Sequence, residues 1–195
     1  MSKKKPPLAK SLPLQYCVAA TIACLALALG RPRLDVTRHS GRAYADFAAF
    51  WPLYVQQHSA PLTKVLHIAG TCLAFASVVP TIGVGGLVRL CLGLTSGLAL
   101  AMCAVDATAA YATGLPEAMV MVVLLVACTR MYTGMTVRRV ILVLSSGYVL
   151  PWIAHFFVEK NRPATFKHPV FSLLGDFRLA GSVLTGQLAL DATMP

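Results

Sequence analysis

Five apolar runs divide the chain, at about 12–30, 64–82, 87–105, 116–132 and 139–158. Each approaches the roughly 20 residues that a helix needs to cross a hydrocarbon core. None alternates with a period of two, so the runs predict helices and not strands. The turns between the last four are "GVGG" at 83–86, "DATAAYATGLPE" at 106–117, and a connection holding Arg130, Arg138 and Arg139. Gly93 and Gly97 form a small-xxx-small pair, which lets two helix backbones approach closely. The segment "YADFAAFWPLYVQQHSAP" (44–61) is different. Phe47, Phe50, Trp51 and Tyr54 recur at spacings of three and four, and the segment is too short to span. It predicts an amphipathic helix lying at the interface, with Trp and Tyr at headgroup level. After Glu159 the chain turns polar and is broken by Pro163 and Pro169. It ends in "GDFRLAGSVLTGQL", which predicts a short surface helix.

The expected fold is therefore all-α: a polytopic helical membrane protein with four core transmembrane helices, an N-terminal anchor helix and an interfacial amphipathic helix. Three segments are expected: a basic N-terminus, anchor and Arg-rich linker (1–43), a membrane domain with four spans (44–188), and a tail (189–195). The first run follows Lys3, Lys4, Lys5 and Lys10 and carries small residues near Ala28 and Gly30, features that a cleaved signal peptide shares. Its length favours an uncleaved anchor.

Composition supports the membrane assignment. The 195 residues are 57% hydrophobic and 12% charged, half the roughly 25% of soluble domains. The net charge of +10 has the sign of a nucleic-acid binder. Its Lys and Arg flank the apolar runs, however, so they read as anchors to the membrane surface, with no nucleic-acid partner. The positive-inside rule does not orient five spans, because nine Lys and Arg fall on one side and eight on the other. Six cysteines sit inside apolar runs without a CxxC pair, and read as small apolar residues at helix contacts.

Histidine is where chemistry enters. His58 ends the aromatic segment, His67 opens the first core span, and His155 closes the last. Four antiparallel spans begin and end on one side of the membrane, so His58, His67, His155 and Glu159 share a face. In an unbroken helix, nine residues turn about 900°, opposing His58 to His67. Pro61 argues for a new helix start instead, and an elbow there can aim both imidazoles at one point. His155 and Glu159 stand at i and i+4, neighbours on an α-helix. Three imidazoles and a carboxylate suit a non-haem iron with open positions. Hydrolytic zinc fits the same donors, and hydrogen bonds that tie helix ends together are the alternative to any metal. No serine or cysteine has the flanking residues of a nucleophile.

The stretches "FWPLYVQQHSAPLTKVLH" and "GYVLPWIAHFFVEKNRPATFKHPVFSLLGDFRL" resemble a small membrane-protein family that includes iron(II)-dependent 2-hydroxy-fatty-acid dioxygenases of α-oxidation at the endoplasmic reticulum. The resemblance runs from about Tyr44 to Leu188, and the block from His155 to Phe166 is its most specific part. It implies Fe(II) bound by His58, His67 and His155, with Glu159 as a fourth ligand or an orienting and catalytic partner. It also implies a 2-hydroxy fatty acid and O2 as substrates, the acyl tail lying among the spans. Arg162 is the candidate fork for the substrate carboxylate, or else a headgroup anchor. His39 and His168 fall outside the pattern, and His168 reads as a surface residue. Ala154 and Ala60 stand where relatives carry Gly and Asn. Those departures, with the few acidic residues, support a second reading: a non-catalytic accessory subunit of a larger membrane complex, such as a respiratory or ATP synthase assembly of the mitochondrial inner membrane. A lipid carrier is the weakest reading, because broken-helix repeats and buried charges are missing.

Overall fold

The structure, a computed structural model, describes residues 11–38, 42–111 and 113–191. Among these it is helical throughout, without a strand: α1 (Leu14–Gly30), α2 (Phe47–Gln56), α3 (Pro61–Ala76), α4 (Val79–Thr108), α5 (Leu115–Thr133), α6 (Val137–Ile153) and α7 (Pro169–Leu184). Helix α6 continues as a π-helical turn over Ala154–Glu159, and a 3₁₀ turn covers Ala164–Phe166. His39 lies outside the described residues.

Among the described residues three helices have the length and apolarity to cross a membrane: Ile82–Thr108, Leu115–Thr133 and Val137–Glu159. The chain is thus an integral membrane protein, but the expected count of four core spans and an anchor is not reached. Helices α1 and α3 are apolar yet only 17 and 16 residues long. The run predicted over 64–82 is cut because α3 ends at Ala76 and Pro80 sits in the first turn of α4. "GVGG" accordingly does not separate two spans, although it does mark a break in the helix. It lies inside α4, where Gly83 (φ 61°, ψ −173°) kinks the chain in a region essentially reserved for glycine.

The helices pack in two pairs. Helix α4 lies against α5, and the glycine spacing shows why: a Cβ on Gly93 or Gly97 would sit 2.8 Å from Cα of Thr129 or Leu125. Helix α3 lies against α6, where a Cβ on Gly70 would meet the Gly147 carbonyl at 2.7 Å. Helix α1 runs beside α4, tied by hydrogen bonds from Thr21 Oγ1 to Ser96 Oγ (2.9 Å) and from Ser96 Oγ to Tyr132 Oη (3.0 Å). Consecutive helices α3 and α4 touch little.

Helix α7 joins the pairs, and the expectation of a short surface helix is corrected. It begins at Pro169, and Val170, Phe171, Ser172, Gly175 and Leu179 are buried against α2, α3, α4 and α5. Helix α2 is corrected too. Its aromatic face does not rest at headgroup level: Phe50, Trp51 and Tyr54 are buried with Phe171 and Leu179 in one cluster. An apolar stripe of that spacing serves a partner helix as well as an interface.

His168, read as a surface residue, is buried. Arg42 Nη1 donates to His168 Nδ1 (2.8 Å), and Arg42 Nη2 reaches Glu117 Oε2 at 2.6 Å. Glu117 Oε1 in turn accepts the Val170 N–H in the first turn of α7 (2.9 Å). One buried ion pair therefore caps α7 from α5, where a carboxylate also complements the helix dipole. Burial, and next the Arg42 charge, push the His168 imidazole down to about 4.

Two outcomes follow from this packing. Gly97→Leu should destabilise the fold by about 1–3 kcal/mol through overpacking, whereas Gly181→Leu, with open space around it, should not; thermal unfolding in detergent measures both. The unfolded His168 takes up a proton near 6.5 and the folded one only near 4, so stability falls as pH drops through that window. His168→Gln, which keeps an acceptor for Arg42, should flatten the fall in unfolding temperature between pH 7 and pH 5.

Candidate metal centre

Three local features bring the histidines together. Helix α2 is capped at its start by Asp46, whose side chain accepts the Ala49 N–H, and it ends at Gln56. His58 follows that end, and its Nδ1 turns back to the Tyr54 carbonyl (2.5 Å). Pro61 restarts the chain as α3, which carries His67. The π-helical turn holds His155; Lys160, in left-handed backbone (φ 52°), closes it, and the N–H groups of Lys160 and Asn161 donate to the His155 carbonyl. Single π-helical turns are rare and concentrate at functional sites.

His58, His67 and His155 are 1%, 4% and 3% exposed, and their candidate ligand atoms lie within 4.8 Å of one another. Ring centroids stand 4.4, 4.7 and 5.2 Å apart with interplanar angles of 82°, 78° and 88°, so the imidazoles meet like three faces of a corner. Each Nδ1 faces an acceptor: the Tyr54 carbonyl for His58, Asp176 Oδ1 for His67 (2.8 Å), and Asn161 Oδ1 for His155 (2.7 Å). These acceptors place the proton on Nδ1 and leave the Nε2 lone pair for a ligand. Nε2 of His58 and of His67 are buried without a hydrogen-bond partner. Burial, followed by the nearby His67, holds the His58 imidazole well below its ordinary value, so it stays neutral and ready to ligate. A metal–imidazole bond of about 2.0–2.1 Å is reached by inward shifts below ~1 Å. The donor set suits iron, zinc, copper or nickel.

Glu159 does not join this group. Its Oε1 accepts the Ala60 N–H (2.8 Å) and its Oε2 the Ser59 hydroxyl (3.0 Å), at the start of α3. Spacing of i, i+4 makes Glu159 a neighbour of His155 along the helix but does not fix what its carboxylate meets, and here the Ala60 N–H and the Ser59 hydroxyl take both oxygens. Arg162 is exposed over the Phe166 ring (5.4 Å) and is not among the residues lining the cavity at the histidines.

Three residues of the site were not anticipated. Asp176 Oδ1 accepts from both His67 and the Tyr54 hydroxyl (2.5 Å). Asn161 holds His155 and donates through Nδ2 to the Gln57 carbonyl (3.0 Å). Tyr54 also stacks on His58, centroids 4.0 Å apart. The Tyr54–His58 spacing of four and the position of Asn161 beside Glu159 were visible signals; Asp176 had only its being an acid in an apolar helix. Tyr148 and Ser172 line the same small cavity, and their hydroxyls are buried without partners. Tyr148 and Asp176 also line a second cavity, apolar and about 90 Å³, which lies between the α3–α6 and α4–α5 pairs and runs past Thr71 and Phe75.

The fold and site define a helical integral membrane protein with a buried tri-histidine group able to hold a metal ion. Residues 44–188 match the family described as 2-hydroxy-palmitic acid dioxygenase Mpo1-like, and the chain belongs to that family. No curated protein and no solved structure matches the chain.

Co(II) titrated into the anaerobic protein, as a spectroscopic probe, should bind at about one ion per chain through these imidazoles. His67→Ala should abolish the signal, and Asp176→Asn should weaken affinity about 10–100-fold, as losses of ligand-orienting partners do. Glu159→Gln should leave the stoichiometry unchanged.

Proposed function

We propose that the chain is an Fe(II)-dependent membrane dioxygenase that shortens 2-hydroxy fatty acids by one carbon, the reaction of α-oxidation. The observation that carries this reading is the trio of buried imidazoles, each fixed at Nδ1, at the head of an apolar cavity. Family membership supports the substrate class and O2 as the co-substrate. His58, His67 and His155 would hold the iron through Nε2. When bound, Fe(II) offers open positions for O2 and for the oxygens of the 2-hydroxy acid, chemistry suited to breaking the C1–C2 bond.

The protein's own groups then have separable tasks. Asp176, Asn161 and the Tyr54 carbonyl orient the imidazoles. Glu159 is a positioning residue, since it locks the elbow between His58 and His67 through Ala60 and Ser59. The hydroxyls of Tyr148 and Ser172 are free to donate to the substrate's carboxylate and 2-hydroxyl, and leaving such donors unpaired in an apolar site is unfavourable. Arg162, at the surface, meets the carboxylate on approach instead of holding it beside the histidines. The endoplasmic reticulum membrane is the compartment we assign, from the family's role.

Protein loaded with Fe(II) and given O2 should convert 2-hydroxypalmitic acid to a product one carbon shorter. His58→Ala should bring turnover to background, and Ser172→Ala should lower kcat/KM about tenfold, the worth of one hydrogen bond to a charged group. A folded, iron-loaded protein that leaves every 2-hydroxy acid intact would overturn the reading. A folded chain that takes up no iron and co-purifies with fixed partners would favour the accessory-subunit reading.

A further inference from the structure

The inner cavity is too small to be the whole substrate site. Its roughly 90 Å³ falls below the 300 Å³ or more of typical ligand pockets. It runs from Tyr148 and Asp176, beside the histidines, to Phe75, Leu94 and Phe177. These last three residues also line an outer groove of about 500 Å³. The outer groove lies along α4 between α7, through Leu174 and Phe177, and α1, through Leu25, Ala28 and Leu29, with Phe75 of α3 at its inner edge. Leu29 and Leu25 are exposed, as is Phe177 at 37%. Histidine cavity, inner cavity and outer groove therefore share lining residues in sequence, and beyond the histidine cavity the lining is predominantly apolar.

Helix α1 is built to stay at this place. Its first half is pinned through the Thr21–Ser96–Tyr132 hydrogen bonds, and Arg31 at its end pairs with Asp106 at 3.5 Å. The groove-lining residues lie between those ties. Helix α1 also precedes the region 44–188 that matches the family.

We propose that the outer groove binds the distal part of a long acyl chain, and that α1 is the wall that gives this protein its preference for long chains. The proposal rests on the dioxygenase reading above for the identity of the head group. The occupant is an acyl tail because the groove is continuous with the cavity beneath the histidines and is lined almost entirely by apolar side chains. The tail enters sideways from the hydrocarbon, past Phe177, and the carboxyl end moves up toward Tyr148 and Ser172.

Photo-crosslinking tests this without turnover. Two 2-hydroxypalmitic acid probes are needed, one with a diazirine near the carboxylate and one with it at the methyl end, bound to full-length protein in detergent. The terminal probe should label Leu25–Leu29 and Phe177, and excess unlabelled 2-hydroxypalmitic acid should suppress the labelling. Ala28→Trp, which fills the groove from an α1 position facing it, should cut the terminal labelling about tenfold. The same variant should leave the carboxylate-end labelling near Tyr148 in place when 2-hydroxyoctanoic acid carries the probe. Terminal labelling confined to α3 and α6, or spread evenly over lipid-facing side chains such as Phe157 and insensitive to competitor, would overturn the proposal. If the carboxylate-end probe also misses the Tyr148 region, the dioxygenase reading fails with it; if that probe labels there and only the α1 labelling is absent, the failure is confined to the groove.

Discussion

One carboxylate oxygen, Asp176 Oδ1, holds three helices in register at the site. It takes a hydrogen bond from Tyr54 on α2 and another from His67 on α3, and it is carried by α7. A carboxylate taken out of water must be satisfied by donors of this kind. Two donors fix its position, and so fix where α2 and α3 stand relative to α7. Tyr54 belongs to the arrangement twice over, because its backbone carbonyl also holds His58. Burial keeps the Tyr54 phenol well above its ordinary value, so it remains a donor. A Cβ at Gly175 would meet the Tyr54 ring at 2.4 Å, so the residue before Asp176 has to be the smallest one. The placement of α7 depends in turn on the Arg42–Glu117 pair at its N-terminus. A buried pair of that kind is weak as a source of net stability but strict as a constraint on geometry.

The electrostatics of the site follow from the same carboxylate. Imidazoles that ligate through Nε2 supply nitrogen donors without supplying negative charge. A divalent ion placed among them, away from bulk water, gains from a negative charge one residue away, and Asp176 provides it through His67. The carboxylate also fixes the tautomer and orientation of that imidazole. Glu159 is held elsewhere, so Asp176 acts through a histidine and leaves the other side of the imidazole group open.

Much of the fold was legible because membrane helices announce themselves by composition. Length and apolarity placed α5, and α6 together with its π-helical turn, within two residues, and the Gly93–Gly97 spacing pointed to the close contact of α4 with α5. The side-sharing of the three histidines came from connectivity alone. What was missed has particular causes. Helix α7 is short and flanked by prolines, and Asp176 and Arg178 give it the look of a surface segment; its burial exists only because Tyr54 and His67 satisfy the acid and Arg178 stacks on Trp51. An aromatic stripe such as that of α2 has one pattern and two possible partners, lipid headgroups or another helix. Glu159 was misplaced because its partners, the Ala60 N–H and the Ser59 hydroxyl, are remote in sequence and draw its carboxylate away from His155. His168 was misplaced because its partners, Arg42 and Glu117, are remote in sequence.

The arrangement would answer a problem that the proposed substrate class poses. A long 2-hydroxy acid has a head that needs ions and hydrogen bonds and a tail that needs hydrocarbon. A site in the middle of a bilayer would strand the head, and one in water would strand the tail. Here the histidines sit where the chain leaves the spans, and the cavities run back along the helices toward lipid. The polar groups are concentrated in α2, the π-helical turn and α7, each attached at the end of the helix pairs. The apolar path is left to α3, α4, α6 and α1, where glycine contacts close one side of each pair. The groove along α1, α4 and α7 is then an opening and not a defect, because α7 joins the pairs and leaves an apolar wall against which the proposed tail would lie.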